Sequence, residues 1–341
     1  MNPGFTLNAL RLLFLMWAAW TGIAQGRAQD IHFSQHFNAP LAMGPGSIGQ
    51  FDGEHRFNSL FRQQWRAVTV PYRTFALGWD GRLLNDLPKL AFGAWAFGDR
   101  AGDSRMTQFH LSAGANWTER WGANSISAGL QLGFTSLTID PSSLTFDTQY
   151  NGFYYDPQLG TGESFQRDGL VHPDVHAGLM FRRAPDRRHL VQFAFSVFNL
   201  TTPEIGFLGG PGSPLDVRNT SNLMVQFPIS TRFDLRPSAQ HMGQGSFNEW
   251  TFGADLRYIL LEKFGLERAV LLGLHGRAAD AGFVHAGVQY DDWTVGVSYD
   301  INTSDLVPAS RNRGGIEFAV IRILRKRPLL PVRYKACPDQ L

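Results

Sequence analysis

Cysteine is nearly missing from this chain. Cys337 is the only one in 341 residues, so a disulfide-stapled secreted fold is excluded. Charge is scarce as well: Asp, Glu, Lys and Arg make up 18%, below the roughly 25% of soluble domains. Neither sign dominates, since the net charge is +2, and no basic field exists to gather nucleic acid. Beyond the N-terminus there is no long hydrophobic run. Stretches such as 190–200 and 258–261 are too short or too interrupted for a spanning helix, which needs about 20 apolar residues. Glycine-rich phosphate loops in a strand-to-helix setting are also lacking.

What the chain has instead is glycine (36 residues) and aromatics (13%). At its start, Arg11 precedes an apolar run from Leu12 to Ala24, and Gly26-Arg27-Ala28 supplies small residues before a cut ahead of Gln29. A positive start, a short apolar core and a small-x-small exit predict a secretory signal peptide over 1–28. An exported chain without disulfides, rich in glycine and aromatics, suits a membrane β-barrel.

Alternation carries the fold. Trp250, Phe252, Ala254, Leu256 and Tyr258 share one face of an extended segment; Thr251, Gly253, Asp255 and Arg257 share the other. Successive strand side chains point to opposite faces, so one face can meet lipid and the other a polar lumen. Ile126, Ala128, Leu130, Leu132 and Phe134 repeat the pattern against Ser127, Gly129, Gln131 and Gly133. So do Val284, Ala286, Val288 and Tyr290, and again Trp293, Val295, Val297 and Tyr299. A soluble β-sandwich would alternate too. Aromatics at both ends of the apolar face, where interfacial girdles belong, favour the membrane. On this reading Leu256→Arg disrupts assembly, whereas Gly253→Ser on the lumen face is mild.

Fourteen strands are expected, near 55–66, 72–83, 88–98, 105–117, 123–136, 172–183, 189–199, 219–228, 230–241, 246–260, 267–278, 281–290, 292–300 and 314–323. Connections after even-numbered strands are all short. Every long one, 137–171, 200–218 and 301–313, follows an odd-numbered strand. Short periplasmic turns, long outer loops and an even count are the habit of outer-membrane barrels. The expected organisation is a signal peptide (1–28), a periplasmic N-terminal extension (29–54), an antiparallel transmembrane barrel (55–323) and a basic periplasmic tail (324–341). Both chain ends then lie in the periplasm.

Catalytic sets are hard to place. His172-x-Asp174-x-His176 puts three polar groups on one strand face, a metal pattern in principle but an ordinary lumen face in a barrel. His32 and His36 read as parts of a solvated extension. Gly102-Asp103-Ser104 sits in a turn with no base partner, and such clusters are common loop chemistry. No enzyme activity, cofactor or metal is expected.

Several blocks resemble one family. Gln29-Asp30-Ile31-His32-Phe33-Ser34-Gln35-His36-Phe37-Asn38-Ala39-Pro40-Leu41 is similar to the opening of PorP/SprF proteins, DPxFSQ leading to xxPLxLNPAxxG. Phe61-Arg62-Gln63-Gln64-Trp65, then Pro71-Tyr72-Arg73-Thr74 and Asp80, resembles that family's YRNQW…PYxTxxxSxD block. Ser127–Phe134, Asp147–Asn151, Ser196-Val197-Phe198-Asn199-Leu200 with Pro203, Gly315-Ile316-Glu317-Phe318 and Cys337-Pro338 resemble later blocks. The match runs in order from Gln29 to Pro338. Two departures stand out: the family's Asn-Pro-Ala is Gly44-Pro45-Gly46 here, and its Arg-Asn-Gln-Trp is Arg62-Gln63-Gln64-Trp65.

The resemblance implies a non-enzymatic outer-membrane barrel of type IX secretion. Such a barrel would assist the secretion or surface attachment of a partner, such as an adhesin or gliding-motility protein. Its expected partners are outer-membrane lipid, a secreted surface protein and periplasmic secretion components, with no nucleic acid. Phe33, Ser34, Gln35, Arg62, Trp65, Cys337 and Pro338 are the candidate partner-binding residues. The competing reading is a porin or a channel for hydrophobic substrates.

Overall fold

The alternation closes into a wall of strands in the computed structural model, which describes residues 30–64, 70–84, 86–102, 105–208, 210–263, 266–304 and 307–325. The expected signal peptide and nearly all of the basic tail lie outside these residues, and with them Trp65, Cys337 and Pro338; so do Asp103 and Ser104.

Strands β1 (His55–Gln64), β2 (Tyr72–Gly81), β3 (Leu90–Ala101) and β4 (Met106–Trp121) come first. They lead into β5 (Asn124–Thr138), β6 (Gly169–Arg183) and β7 (Leu190–Phe198). A small ribbon follows, β8 (Glu204–Ile205) paired with β9 (Ser213–Pro214). The wall resumes with β10 (Arg218–Pro228), β11 (Phe233–Gln244), β12 (Phe247–Lys263) and β13 (Leu266–Arg277). It is completed by β14 (Ala281–Tyr290), β15 (Trp293–Asn302) and β16 (Arg313–Leu324). Apart from the ribbon, each strand pairs antiparallel with the next, and β1 pairs with β16 from His55↔Leu324 to Gln64↔Gly315. The result is a closed fourteen-strand antiparallel barrel. The largest departure from expectation is at β4, which runs to Trp121 instead of 117.

Burial decides between barrel and sandwich. On β5 the serine and glutamine face is the hidden one: Ser127 and Gln131 are 2% exposed, while Leu132 is 63% exposed. A sandwich buries the apolar face of each sheet. Here the leucines, valines and phenylalanines form the outer surface, stable only against lipid. Trp250, Trp293 and Tyr299 stand on that outer face near strand ends, where amphipathic rings meet headgroups. No helix of the described residues is long and apolar enough to cross a membrane.

The long connections gather at one end of the barrel, here called the loop end. Phe165 bridges to Leu208, and the Gln166 amide donates to the Phe207 carbonyl at 3.1 Å, tying two of these loops together. His55 and Leu324 both lie at the opposite, turn end.

The segment expected to extend from the barrel does not do so. Residues 30–54 run through the lumen, from the loop end at Asp30 to the turn end at Glu54, whose amide donates to the Leu324 carbonyl. The physical reason lies in composition and backbone. Phe33, Ala39, Leu41 and Ile48 pack into one apolar cluster with Leu60, Ala76, Ala91, Trp95 and Ala319 of the wall. Short 3₁₀ turns at His36–Asn38, Pro40–Met43 and Pro45–Ser47 satisfy many of the backbone groups locally. That removes much of the cost of burying an irregular chain.

Candidate functional site: the plugged lumen

Inward-facing wall positions are polar because every second residue of a barrel strand looks into the lumen. The plug, residues 30–54, turns that polarity into three layers of contacts.

At the loop end, Asp30 is held by residues of β10 and β11 and by Asn199, just past β7. Its amide donates to Gln244 Oε1 at 3.0 Å, the Asn199 amide group donates to its carboxylate at 2.8 Å, and Arg218 lies 3.5 Å away. Arg218 also donates to the Ile31 carbonyl at 3.1 Å while lying over the Phe198 ring.

One turn deeper lies a knot of buried charge. Glu317 accepts the backbone amides of Ser34 and Gln35, both at 2.9 Å. The Ser34 hydroxyl donates to Asp300 at 2.9 Å and accepts from Arg277 at 2.8 Å. Gln35 donates to Ser298 and to the Glu317 carbonyl. Arg62 donates to the His32 carbonyl and to Asp300, and its guanidinium lies 3.9 Å from Glu317. Phe33 meets Trp95 edge-on, with ring centroids 6.3 Å apart.

At the turn end, Asn116 donates to the carbonyls of Gly46 and Ile48 at 3.1 and 2.6 Å, and Ser127 donates to Gly46 at 2.8 Å. Asp80 accepts the Gly49 amide at 2.7 Å and a two-pronged contact from Arg56 at 2.9 and 2.8 Å. Arg56 and Arg82 both lie over the Phe51 ring. Backbone meets backbone at Gly46, where a Cβ would come within 2.7 Å of the Leu179 main chain. Gly44 adopts φ +121°, a conformation that suits glycine. The two glycines that depart from the Asn-Pro-Ala pattern are therefore where this plug lies flush on its wall.

Little space remains. One cavity of about 70 Å³ sits between the plug and the wall near Trp95, His110, His176 and Met242, room for a few waters. Below the plug, a vestibule of about 720 Å³ opens at the turn end, with Arg82, Arg120, Arg182, Arg187 and Arg325 among its walls.

Of the seven candidate partner-binding residues, Phe33, Ser34, Gln35 and Arg62 are brought together, inside the barrel and at most 5% exposed. Nothing places them at a periplasmic rim. His36, read as solvated, is 4% exposed. His172, Asp174 and His176 do share the lumen face, and His110 of β4 joins them. Sequence reasoning missed His110, Asp300 and Arg277. Their signal was only an inward parity, and parity alone does not say which strands meet across a lumen.

The blocks that carry the family resemblance converge here: Ser34-Gln35, Arg62, Asp80, Ser127, Asn199 and Glu317 all touch the plug or belong to it. A family model described as type IX secretion system membrane protein PorP/SprF matches residues 25–320. The chain belongs to the PorP/SprF family. It is an outer-membrane β-barrel of type IX secretion. No curated protein matches this PorP/SprF chain. Solved barrels resemble it in fold alone. They include the toluene transporter TodX of Pseudomonas putida, at TM-score 0.48 and 11% identity, covering 83% of this chain and 92% of that one. The CymD monoaromatic hydrocarbon channel gives TM-score 0.46 and 10% identity, covering 89% and 96%. A FadL homologue of Pseudomonas aeruginosa gives 0.46 and 12%, covering 83% and 93%.

Proposed function

We propose that this PorP/SprF protein is a closed, non-enzymatic accessory barrel that helps a secreted partner cross the outer membrane or stay attached to its surface. The partner class we favour is an adhesin or gliding-motility protein. The observation that carries the reading is the plug: a lumen filled along its length and tied at three levels does not suit free diffusion of solutes. Work at the two rims suits it better. The loop end offers exposed aromatics, with Tyr150, Phe153 and Tyr154 on the 139–168 connection and Phe153 96% exposed. Large exposed apolar groups of this kind mark contact surfaces. The turn end offers a polar vestibule walled by five arginines together with Asp52, Glu54, Asp186 and Glu267, a mixed-charge surface of the kind that fixes register with a polar partner. In this reading the loop end faces outward and the turn end faces the periplasm.

Deleting the gene and comparing surface proteomes tests it. Selective loss of one large secreted protein is expected. An unchanged surface proteome combined with lost uptake of a small solute overturns the reading in favour of a channel.

A further inference from the structure

We propose that Asp255, His275 and His285 bind one divalent transition-metal ion of the zinc class on the inner wall of the barrel, beneath Phe37 of the plug. The three residues stand on consecutive strands β12, β13 and β14, and their ligand atoms lie within 4.8 Å of one another. Asp255 Oδ1 is 2.6 Å from His285 Nδ1 and 3.6 Å from His275 Nε2. Four-coordinate zinc, with bonds of about 2.0–2.1 Å, separates its ligand atoms by roughly 3.3 Å. The two contacts of Asp255, at 2.6 and 3.6 Å, bracket that spacing.

The register explains why the donors converge. Gly273 lies directly across from Asp255 on one side and from His285 on the other. A Cβ at Gly273 would overlap Asp255 Oδ1 and come within 2.9 Å of His275 Nε2. Gly253, across from His275, leaves room for that ring in the same way. Glycines on the wall thus form a floor over which two imidazoles and a carboxylate lean together.

The second observation is unmet hydrogen bonding. Both ring nitrogens of His275 are buried without a hydrogen-bond partner, Nε2 being the one that faces Asp255, while His285 Nδ1 is held by Asp255 itself; the two histidines are 6% and 3% exposed. Buried polar atoms are nearly always satisfied, and an orphan calls for an ion or a water. Phe37 stacks on His275 at 5.2 Å and meets His285 edge-on at 5.0 Å, while Phe283 stacks on His275 at 4.9 Å. These rings restrict the imidazoles and keep bulk water away.

Donor chemistry selects the ion. Imidazole suits zinc, copper, iron and nickel, whereas calcium and magnesium take oxygen ligands. Three protein ligands leave a fourth position for water, as zinc sites with an open position do. A second lumen cluster, His110, Asp174 and His176, is a natural control because three of its four ring nitrogens already have hydrogen-bond partners. His110 contacts Thr135 and Ser112, each at 2.9 Å, and His176 Nδ1 accepts the Asn199 amide.

The test uses the whole barrel, purified in detergent without a polyhistidine tag and stripped with a chelator. Cobalt(II) is the spectroscopic probe and zinc(II) the competitor. One equivalent of cobalt is expected to bind, with a visible ligand-field spectrum that zinc abolishes. His275→Gln and His285→Gln should each weaken binding more than about 100-fold, beyond what loss of an outer hydrogen bond costs. His176→Gln should leave it unchanged. Heat-modifiable migration on gels reports folding of each variant, and the wild-type stoichiometry needs no variant. No bound equivalent in the wild type overturns the proposal, as does binding that survives in both His275→Gln and His285→Gln.

Discussion

Glu317 shows how much one lumen side chain can hold. Its carboxylate accepts two consecutive plug amides from a position 1% exposed, with Arg62 beside it. Removing one partner from such a buried charged network costs roughly 3–5 kcal/mol. Glu317→Ala should lower the temperature at which the barrel loses heat-modifiable migration. It should also expose a cysteine placed at Ser34 to thiol reagents. An unchanged midpoint with Ser34 still protected would mean that the plug is held elsewhere. Glu317→Gln keeps an acceptor and should fall between the two. Gly253 gives a second case, and here the structure corrects the sequence. Gly253→Ser was expected to be mild, but a Cβ there would overlap the His275 ring and the Leu274 carbonyl. Leu256→Arg meets lipid from the outer face and costs about 2–4 kcal/mol near the midplane. Both variants should therefore reduce the assembled fraction in outer-membrane preparations, for opposite reasons. Normal assembly of Gly253→Ser would show that the wall can shift to make room.

At the scale of elements, the strands were legible and the plug was not. Period two is local: Ile126 to Phe134 announce their outer face without reference to any other strand. The wall partners of Ser34 and Gln35 lie 243 to 283 positions away, and no nearby pattern encodes them. The 29–54 segment mixes apolar, histidine and glycine residues without a period, which reads as solvated when the wall around it is unknown. The Asp255, His275 and His285 cluster was hidden for a related reason. Each residue had the right parity, but only the register across Gly273 places them together. Loop lengths were readable, and they lead to a prediction about orientation. A cysteine in the 139–168 connection should react with an impermeant thiol reagent on intact cells, and one in the 184–189 turn should not. The reverse labelling would invert the barrel in the membrane.

For the molecule as a whole, closure of the lumen is the property to measure. In planar bilayers the intact protein should pass no steady current, whereas deletion of residues 30–51 should open a stable conductance through the polar interior. Steady conduction by the intact protein would count against a plug that seals. The closing seam adds a further consequence. Arg62 of β1 and Glu317 of β16 sit directly opposite each other across that seam, and both hold the plug. The receptor for the start of the chain therefore exists only once the final strand is in place. A slip of one residue at the seam would turn Arg62 or Glu317 toward lipid, and the plug would find no seat. Docking of the plug thus acts as a proofreading step: it rewards the one register in which first and last strands are correctly zipped, and it leaves every misaligned barrel open and less stable.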